Sequence, residues 1–428
     1  MPAAPRLDDA LANDTAGRAA FVRSPAFVLA MLLVVYTFNF IDRQILGILA
    51  GPIKADLGLS DTQLGALGGF AFALLYSTMG LPLAWLADRR GRTRVIAASL
   101  AVWSAFTALC GLAGGFWAMF ACRLGVGVGE AGGVAPSYAL ISDTFPPHRR
   151  ARALAIYSLG IPLGSAAGIL LGGYVAAAVN WRAAFLAVGL AGLVFTPLFA
   201  WGVCDPRRPT PGAAPAMRAV LAILAGKRSF WLLSFGAASC SMMGYGLAFW
   251  LPSLMRRSFG LDLVQTSQFF GLLLLVGGTA GVLAGGVLAD WLGTRSRAAY
   301  ARVPALAFLA GVPLFVAGLH ASGAGLAFWL FLLPQALVYI WLGPILTAVQ
   351  HLVPAPMRAT ASAAFLLINN LIGVGLGSLT IGKLSDLLTP HFGNDALRQA
   401  IQIGLGFYLL AAVLMLLGAR HLQREWVD

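Results

Sequence analysis

Long apolar runs alternate with short polar connections along most of the 428-residue chain. A helix needs roughly 20 consecutive apolar residues to cross a bilayer. The strands of a membrane β-barrel are only about 10 residues long and alternate in polarity. These runs are longer and uniformly apolar, so the predicted fold class is an all-α polytopic membrane protein. The pattern predicts twelve spans, at 25–51, 61–87, 94–113, 116–142, 150–178, 181–203, 228–255, 265–289, 299–320, 324–352, 358–386 and 396–418.

Composition agrees with this prediction, since 59% of the residues are hydrophobic and 11% are charged. A soluble domain has about 25% charged residues. The net charge of +13 could indicate a nucleic-acid partner. Here the Lys and Arg residues fall in short clusters between spans, so we expect the lipid bilayer as their partner, and no nucleic acid. The four cysteines show no metal or disulfide spacing, and we expect no metal and no cofactor.

The distribution of basic residues predicts the orientation. An even number of spans places both chain ends on one side, and most Lys and Arg residues lie in the connections and tails of that side. The opposite connections and span ends hold only Lys54, Arg182, Arg256, Arg257, Lys383 and Arg398. The positive-inside rule therefore predicts a multi-pass protein of the cell (inner) membrane with both termini cytoplasmic.

The longest polar connection divides the spans six and six. The predicted organisation is a cytoplasmic tail at 1–24, a six-helix half at 25–203, a cytoplasmic linker at 204–227, a second six-helix half at 228–418 and a tail at 419–428.

The two halves repeat each other. Asp88 in LAWLADRRGRTR follows the second span, and Asp290 in GGVLADWLGTRSR follows the eighth. FPPHRRARA precedes the fifth span and VPAPMRATA precedes the eleventh. Two parallel six-helix pseudo-repeats around a central site are typical of secondary transporters.

The connection after the second span reads AWLADRRGR at 84–92. It resembles the loop motif G-x-L-a-D-R-x-G-R of the major facilitator superfamily, with alanine in place of the first glycine. The second-half copy, GVLAD at 286–290, lacks the arginine after the aspartate. In that family the motif latches the inner gate, so the resemblance implies such a role for Asp88, Arg89, Arg92 and Asp290.

Within the superfamily, the chain most resembles the spinster group. The resemblance lies in NFIDRQ of the first span and in RLGVGVGEAGGVAPSYALISDTFPPHRRARALAIYSLGIPLG of the fourth and fifth. It implies transport of a lysophospholipid or sphingolipid-like substrate, with proton dependence in some members. Other organic anions are the alternative substrate class.

Four charged residues lie well inside predicted spans, Asp42 and Arg43 in the first, Arg123 and Glu130 in the fourth. A charge at the bilayer centre costs about 2.5–3.5 kcal/mol, so these four cannot face lipid. Arg123 and Glu130 are spaced to share one helix face. We expect a single cluster in which Glu130 pairs with Arg43. A purely structural ion pair is the alternative, although buried pairs are poor stabilisers.

This cluster suits proton coupling. Burial raises the proton affinity of a carboxylate and a neighbouring arginine lowers it. Movement of Arg43 away from Asp42 or Glu130 would therefore change the proton affinity of that carboxylate, which is what the exchange of a proton against a substrate requires. The sequence does not decide which of the two carboxylates carries the proton. Arg43 and Arg123 could hold a phosphate or carboxylate head group through paired hydrogen bonds.

The second half carries no charge at depth. Its candidate cavity-lining residues are Tyr245, Gln335, Tyr339, Asn369 and Asn370. Some of these side chains will only hydrogen-bond between helices. One charged wall and one neutral wall favour an amphiphilic small-molecule substrate, with its head at the arginines and its tail along the second half.

The sequence thus predicts a proton-coupled transporter that works by alternating access as a monomer. A facilitator for a small organic anion or drug is the second hypothesis. An integral-membrane lipid enzyme is the third, and it is disfavoured because no histidine cluster, metal spacing or Ser-His-Asp set lies at membrane depth.

Two glycine stripes predict close helix packing. RLGVGVGE in the fourth span lacks the spacing of a nucleotide-binding loop, so its glycines are expected to admit a neighbouring helix. The stripes comprise Gly125, Gly127 and Gly129 in the fourth span and Gly160, Gly164, Gly168, Gly172 and Gly173 in the fifth.

Overall fold

The computed structural model describes residues 24–203, 217–293, 295–354 and 357–427, apart from a few helical side chains that include those of Asp88 and Asp290. All regular structure in these ranges is helical, and most of it forms twelve spans. In chain order they are α1 Pro25–Leu57, α2 61–90, α3 Arg92–Cys110, α4 116–144, α5 147–178, α6 Trp181–Gly202, α7 Arg228–Phe259, α8 263–293, α9 Ala299–Leu319, α10 324–350, α11 358–392 and α12 396–425.

Length and hydropathy alone mark ten segments of the described residues as able to cross a membrane. One of them, Thr360–Glu425, contains both α11 and α12, which a short 3-10 turn at Gly393–Asp395 separates. The other missing span is α4, which Gly132 and Gly133 divide into two shorter helices. The prediction of an all-α polytopic membrane protein with twelve spans is therefore confirmed.

Several spans contain irregular backbone. Short π-helical turns interrupt α2 at Ala66–Phe70, α8 at Leu273–Gly278 and α11 at Asn370–Val374. Such turns are rare and frequently occur near functional sites. They lie inside the spans, where hydropathy alone gives no sign of them.

The ends of α1 and α7 show the repeat in structural detail. Both helices run past their predicted ends at 51 and 255 and stop at a left-handed glycine, Gly58 with φ 63° and Gly260 with φ 69°. Glycine adopts this conformation without steric cost. The following spans each begin with a capping box, Ser60 with Gln63 and Asp262 with Gln265. The two halves therefore share the same turn chemistry as well as the same helix order.

The predicted linker is partly helical. Residues 204–216 lie outside the described part, and Met217–Ala225 forms a helix that buries Val220 and Leu224. At the other end of the chain, α12 continues to Glu425, so most of the predicted tail at 419–428 is helical. The Lys227 ammonium donates to the Glu425 carbonyl at 2.7 Å, which ties the linker to the end of the chain.

The spans alternate in direction, so their connections fall on two faces. We call the side that carries Ser24, Lys227 and Glu425 the linker face, and the side that carries Gly58 and Gly260 the far face.

The glycine stripe of α5 packs directly on α1. Added β-carbons at Gly160, Gly164 and Gly168 would meet Tyr36, Thr37 and Ile41. In α4, β-carbons at Gly127 and Gly129 would meet the Phe72 carbonyl and the Trp103 backbone. The predicted role of both stripes in close packing is confirmed. The two stripes thus pack neighbouring helices around the charged segments of α1 and α4.

Replacement of Gly168 by alanine is expected to destabilise the protein by about 1–3 kcal/mol, the usual cost of overpacking. A β-carbon there would lie 2.6 Å from the Ile41 carbonyl oxygen, with no flexible side chain to yield. Gly80→Ala is the matched control because a β-carbon at Gly80 meets nothing within 4 Å. Thermal unfolding in detergent should show a lower Tm for the first variant only. Equal Tm values for the two variants would contradict this packing.

Candidate functional site

The four charged residues of the first half lie together between α1 and α4. The Arg43 Nε donates to Glu130 Oε2 at 2.8 Å, and Arg123 Nη1 lies 3.6 Å from Asp42 Oδ2. Asp42 and Arg123 are each 1% exposed and Glu130 is 0% exposed. The Arg43 side chain is 12% exposed, so it is the one member of the cluster that is partly accessible.

Neighbouring helices hold Asp42 and Arg123, the more deeply buried pair of the cluster. Thr107 of α3 donates its hydroxyl to Asp42 Oδ1 at 2.8 Å. The Arg123 Nε lies 3.4 Å from the Leu67 carbonyl, within the π-helical turn of α2. Asp42 and Arg123 are therefore held by α2 and α3 as well as by each other.

Aromatic rings surround the Arg43 guanidinium. The Arg43 guanidinium lies 5.1, 4.9 and 4.7 Å from the ring centres of Phe40, Phe72 and Tyr76. A guanidinium over an aromatic face gains electrostatic stabilisation. Phe72 also lies 5.4 Å from the Arg123 guanidinium, so both arginines are close to this ring.

Each of the four residues has spare hydrogen-bonding capacity. Among the described residues, Asp42 Oδ2, Arg43 Nη2, Arg123 Nη1 and Glu130 Oε1 are buried and make no hydrogen bond. A buried unsatisfied polar group costs about 1–3 kcal/mol, and more when it is charged. Atoms of this kind are suited to a partner that comes and goes, such as a proton on a carboxylate or an anion on a guanidinium.

The second half contributes one of its five candidate residues to this cluster. The Tyr245 side chain of α7 lies beside the Arg43 guanidinium, and Tyr339 lies near Tyr245. Asn369 instead accepts a hydrogen bond from Ser241 at 2.8 Å and donates to Asn370 at 3.4 Å, which joins α7 to α11. Gln335 of α10 is buried against Gly277 of α8.

The loop motif after α2 packs against its own half. Gly91 has φ 106°, a conformation that a side chain would strain, so the motif needs glycine there. Arg92 forms an ion pair with Asp143 at the end of α4. Arg89 stacks on Trp85 at 4.0 Å. The side chains of Asp88 and Asp290 lie outside the described residues.

A second ionic network lies on the far face, and sequence reasoning missed it. Asp61 at the start of α2 accepts two hydrogen bonds from Arg257 of α7, each 2.7 Å. It also accepts from Lys54 at 2.5 Å and from Ser385 of α11 at 2.7 Å. The position of Asp61 opposite two adjacent arginines of the other half was the available signal, but charges at span ends resemble ordinary loop charges.

Asp386 adds a second bridge between the halves. Its carboxylate accepts from the Thr62 N–H at 2.7 Å, the Thr62 hydroxyl at 2.6 Å and the Asp61 N–H at 3.1 Å, which caps α2. Close by, the Ser378 hydroxyl donates to the Gly65 carbonyl at 2.8 Å. Hydrogen bonds between described residues of the two halves thus gather toward the far face.

The chain shares sequence with known transporters. The sequence profile of the Major Facilitator Superfamily matches residues 32–378. An MFS-type efflux pump of Mycolicibacterium smegmatis is 35% identical over 393 residues, which cover 91% of this chain and 90% of that protein. The probable sphingolipid transporter spinster homolog 2 of Arabidopsis thaliana is 28% identical over 357 residues, 78% of this chain and 72% of that protein.

A solved structure shares the fold over nearly the whole chain. It is the crystal structure of a bacterial homolog of the human lysosomal transporter spinster, in an inward-facing and unoccupied conformation. The TM-score is 0.87 at 28% sequence identity, and the match covers 94% of this chain and 98% of that one.

Removal of one partner from a buried pair should cost more than removal of both. Arg123→Gln leaves the Asp42 carboxylate enclosed without its cationic partner, so we expect a loss of about 3–5 kcal/mol in detergent unfolding experiments. The double variant Asp42→Asn, Arg123→Gln should recover much of that loss. Arg398→Gln is the control because its ion pair reaches solvent through Asp395, which is 53% exposed, and a pair at the surface contributes only about 0–1 kcal/mol. A double variant less stable than Arg123→Gln would contradict the pairing.

Proposed function

This chain belongs to the major facilitator superfamily, with spinster-like relatives, and on that premise we propose that it is a proton-coupled secondary active transporter of an amphiphilic substrate. The substrate class is a lysophospholipid or a related sphingolipid-like molecule. The observation that carries the proposal is the 2.8 Å pair between partly exposed Arg43 and enclosed Glu130. The fold and the relatives are those of transporters and not of enzymes.

Arg43 is the proposed contact for the substrate head group. Its Nη2 makes no hydrogen bond among the described residues, while its Nε is held by Glu130. A guanidinium binds phosphate or carboxylate through two parallel hydrogen bonds. An incoming anion would therefore compete with Glu130 for the same group. Arg123 supplies a second positive charge, also close to Phe72.

The competition couples the substrate to a proton. An enclosed carboxylate that loses its cationic partner is strongly destabilised while charged, and it takes up a proton instead. Glu130 is placed for this role through Arg43, and Asp42 through Arg123. We assign proton coupling to these two carboxylates together, since they lie in one cluster and influence each other.

The distribution of charge supports an amphiphile. Deep charges lie on α1 and α4 only, and the facing helix α7 presents Tyr245. A head group at Arg43 would leave its apolar tail along the neutral second half. Tyr245, Tyr339, Gln335, Asn369 and Asn370 are the residues of that half proposed to line the path.

Alternating access requires two gates. On the far face, Asp61 and Asp386 join the first half to the second half. A closed far face supports an inward-facing state if the linker face is cytoplasmic. The Lys and Arg bias supports that orientation, with the chain in the cell (inner) membrane. Asp88, Arg89, Arg92 and Asp290 are proposed to latch the linker face when the far face opens. Because one chain holds both halves, a monomer is sufficient.

A facilitator for a small organic anion or a drug is the second candidate. The observation that favours it is the 35% identity to an MFS-type efflux pump over 91% of this chain. The same arginines would bind a carboxylate without an acyl tail, so the substrate distinguishes the two proposals.

Proteoliposomes with an imposed pH gradient provide the test. We expect the wild-type protein to move a labelled lysophospholipid, and Arg43→Ala and Glu130→Gln to reduce the rate by at least about 100-fold, since charge-assisted contacts made in transport are lost. Arg398→Gln, which removes a half-buried arginine outside the cluster, should transport at the wild-type rate.

Other outcomes separate the parts of the proposal. Transport of short organic anions with no movement of lysophospholipid would replace the substrate class by the second candidate. Retained pH-driven transport in both Asp42→Asn and Glu130→Gln would exclude these carboxylates from proton coupling.

A further inference from the structure

A cavity of about 610 Å³ opens on the far face between the ends of α1 and α7. Its charged lining residues are Lys54 of α1 and Arg256 and Arg257 of α7, and no acidic residue lines it within the described part of the chain. The cavity lies where the two halves meet, and it is separate from the cluster around Arg43.

The three cations are not equally neutralised. Lys54 and Arg257 both bind the Asp61 carboxylate, as described above. Arg256 makes no ion pair or hydrogen bond with a described residue. The acid that influences it at longer range is Asp262, whose carboxylate already accepts the Gln265 N–H at 2.7 Å. The cavity therefore contains one positive charge without a close counter-charge.

The backbone of α1 accommodates this arginine. A β-carbon at Gly51 would lie 2.5 Å from Arg256 Nη1. The guanidinium of the second half thus lies against the first half at a position where a side chain in place of Gly51 would displace it. Arg256 is partly buried, and its head is placed across the boundary between the halves, facing the same space as Lys54.

We propose that this cavity is a binding site for a phosphate-type oxyanion, held by Arg256 from one half and Lys54 from the other. Arginine recognises tetrahedral oxyanions through its planar fork of donors, and lysine adds a point charge. The anion could come from the head group of a lipid in the far-face leaflet or from free phosphate.

An anion at this site would act on the far-face gate. It would contact α1 and α7 together, and those contacts would be lost when the two helices separate. A ligand shifts an equilibrium only through its preference for one state. The oxyanion would therefore favour the state in which the far face is closed, whichever substrate the transporter carries.

Thermal unfolding tests the site without any transport assay. Purified protein in detergent is titrated with sodium phosphate against sodium gluconate at equal ionic strength. The Tm of the protein is also measured in phosphatidylcholine nanodiscs with and without phosphatidylglycerol. We expect the wild-type Tm to rise saturably with phosphate, with phosphatidylglycerol, or with both, since a ligand of the folded state stabilises it. The responding arm identifies the source of the anion.

Variants locate the response. Arg256→Gln should weaken the apparent affinity by at least about tenfold, as expected for a lost charge-assisted hydrogen bond. Gly51→Ala should also weaken the apparent affinity, because the added methyl group displaces the Arg256 guanidinium. This variant provides the test if Arg256→Gln fails to fold. Lys383→Gln, which removes an exposed far-face charge outside the cavity, should respond like the wild type. No response in either arm, or a wild-type response in both Arg256→Gln and Gly51→Ala, would overturn the proposal.

Discussion

Charges at the depth of lipid tails must be paired or face water, because each costs several kcal/mol otherwise. This chain places four of them on α1 and α4, and the rest of the first half is arranged to enclose them. The glycines of α5 let it pack on α1, and the glycines of α4 let it approach α2 and α3. Close packing of these helices therefore encloses the Arg43–Glu130 and Arg123–Asp42 pairs.

The central charged cluster and the far-face ionic network are placed differently with respect to the two halves. The central cluster belongs to the first half, and Tyr245 of the second half lies beside its Arg43. The far-face network instead joins the halves through Asp61 and Asp386. Separation of α1 from α7 at the far face would break the second group and leave the first intact. We propose that Tyr245 links the state of Arg43 to the position of the second half.

The members of the central cluster could be predicted from the sequence because charged residues deep in membrane spans are rare. Asp42, Arg43, Arg123 and Glu130 stand out in apolar spans, and the spacing of Arg123 and Glu130 fixes their shared face. Asp61 and Asp386 were missed because a charge at a span end resembles a loop charge. Thr107 was missed because hydroxyl groups are common in membrane helices. The π-helical turns depend on tertiary packing, and hydropathy does not register them.

Proton uptake on substrate binding is the most direct test of the central claim that an anion and Glu130 compete for Arg43. Purified protein in weakly buffered detergent is mixed with lysophospholipid, and a pH-indicator dye reports the protons taken up or released. We predict uptake of protons by the wild-type protein, and none by the double variant Asp42→Asn, Glu130→Gln. Substrate binding without proton uptake in the wild type, or the same uptake in the double variant, would contradict the account.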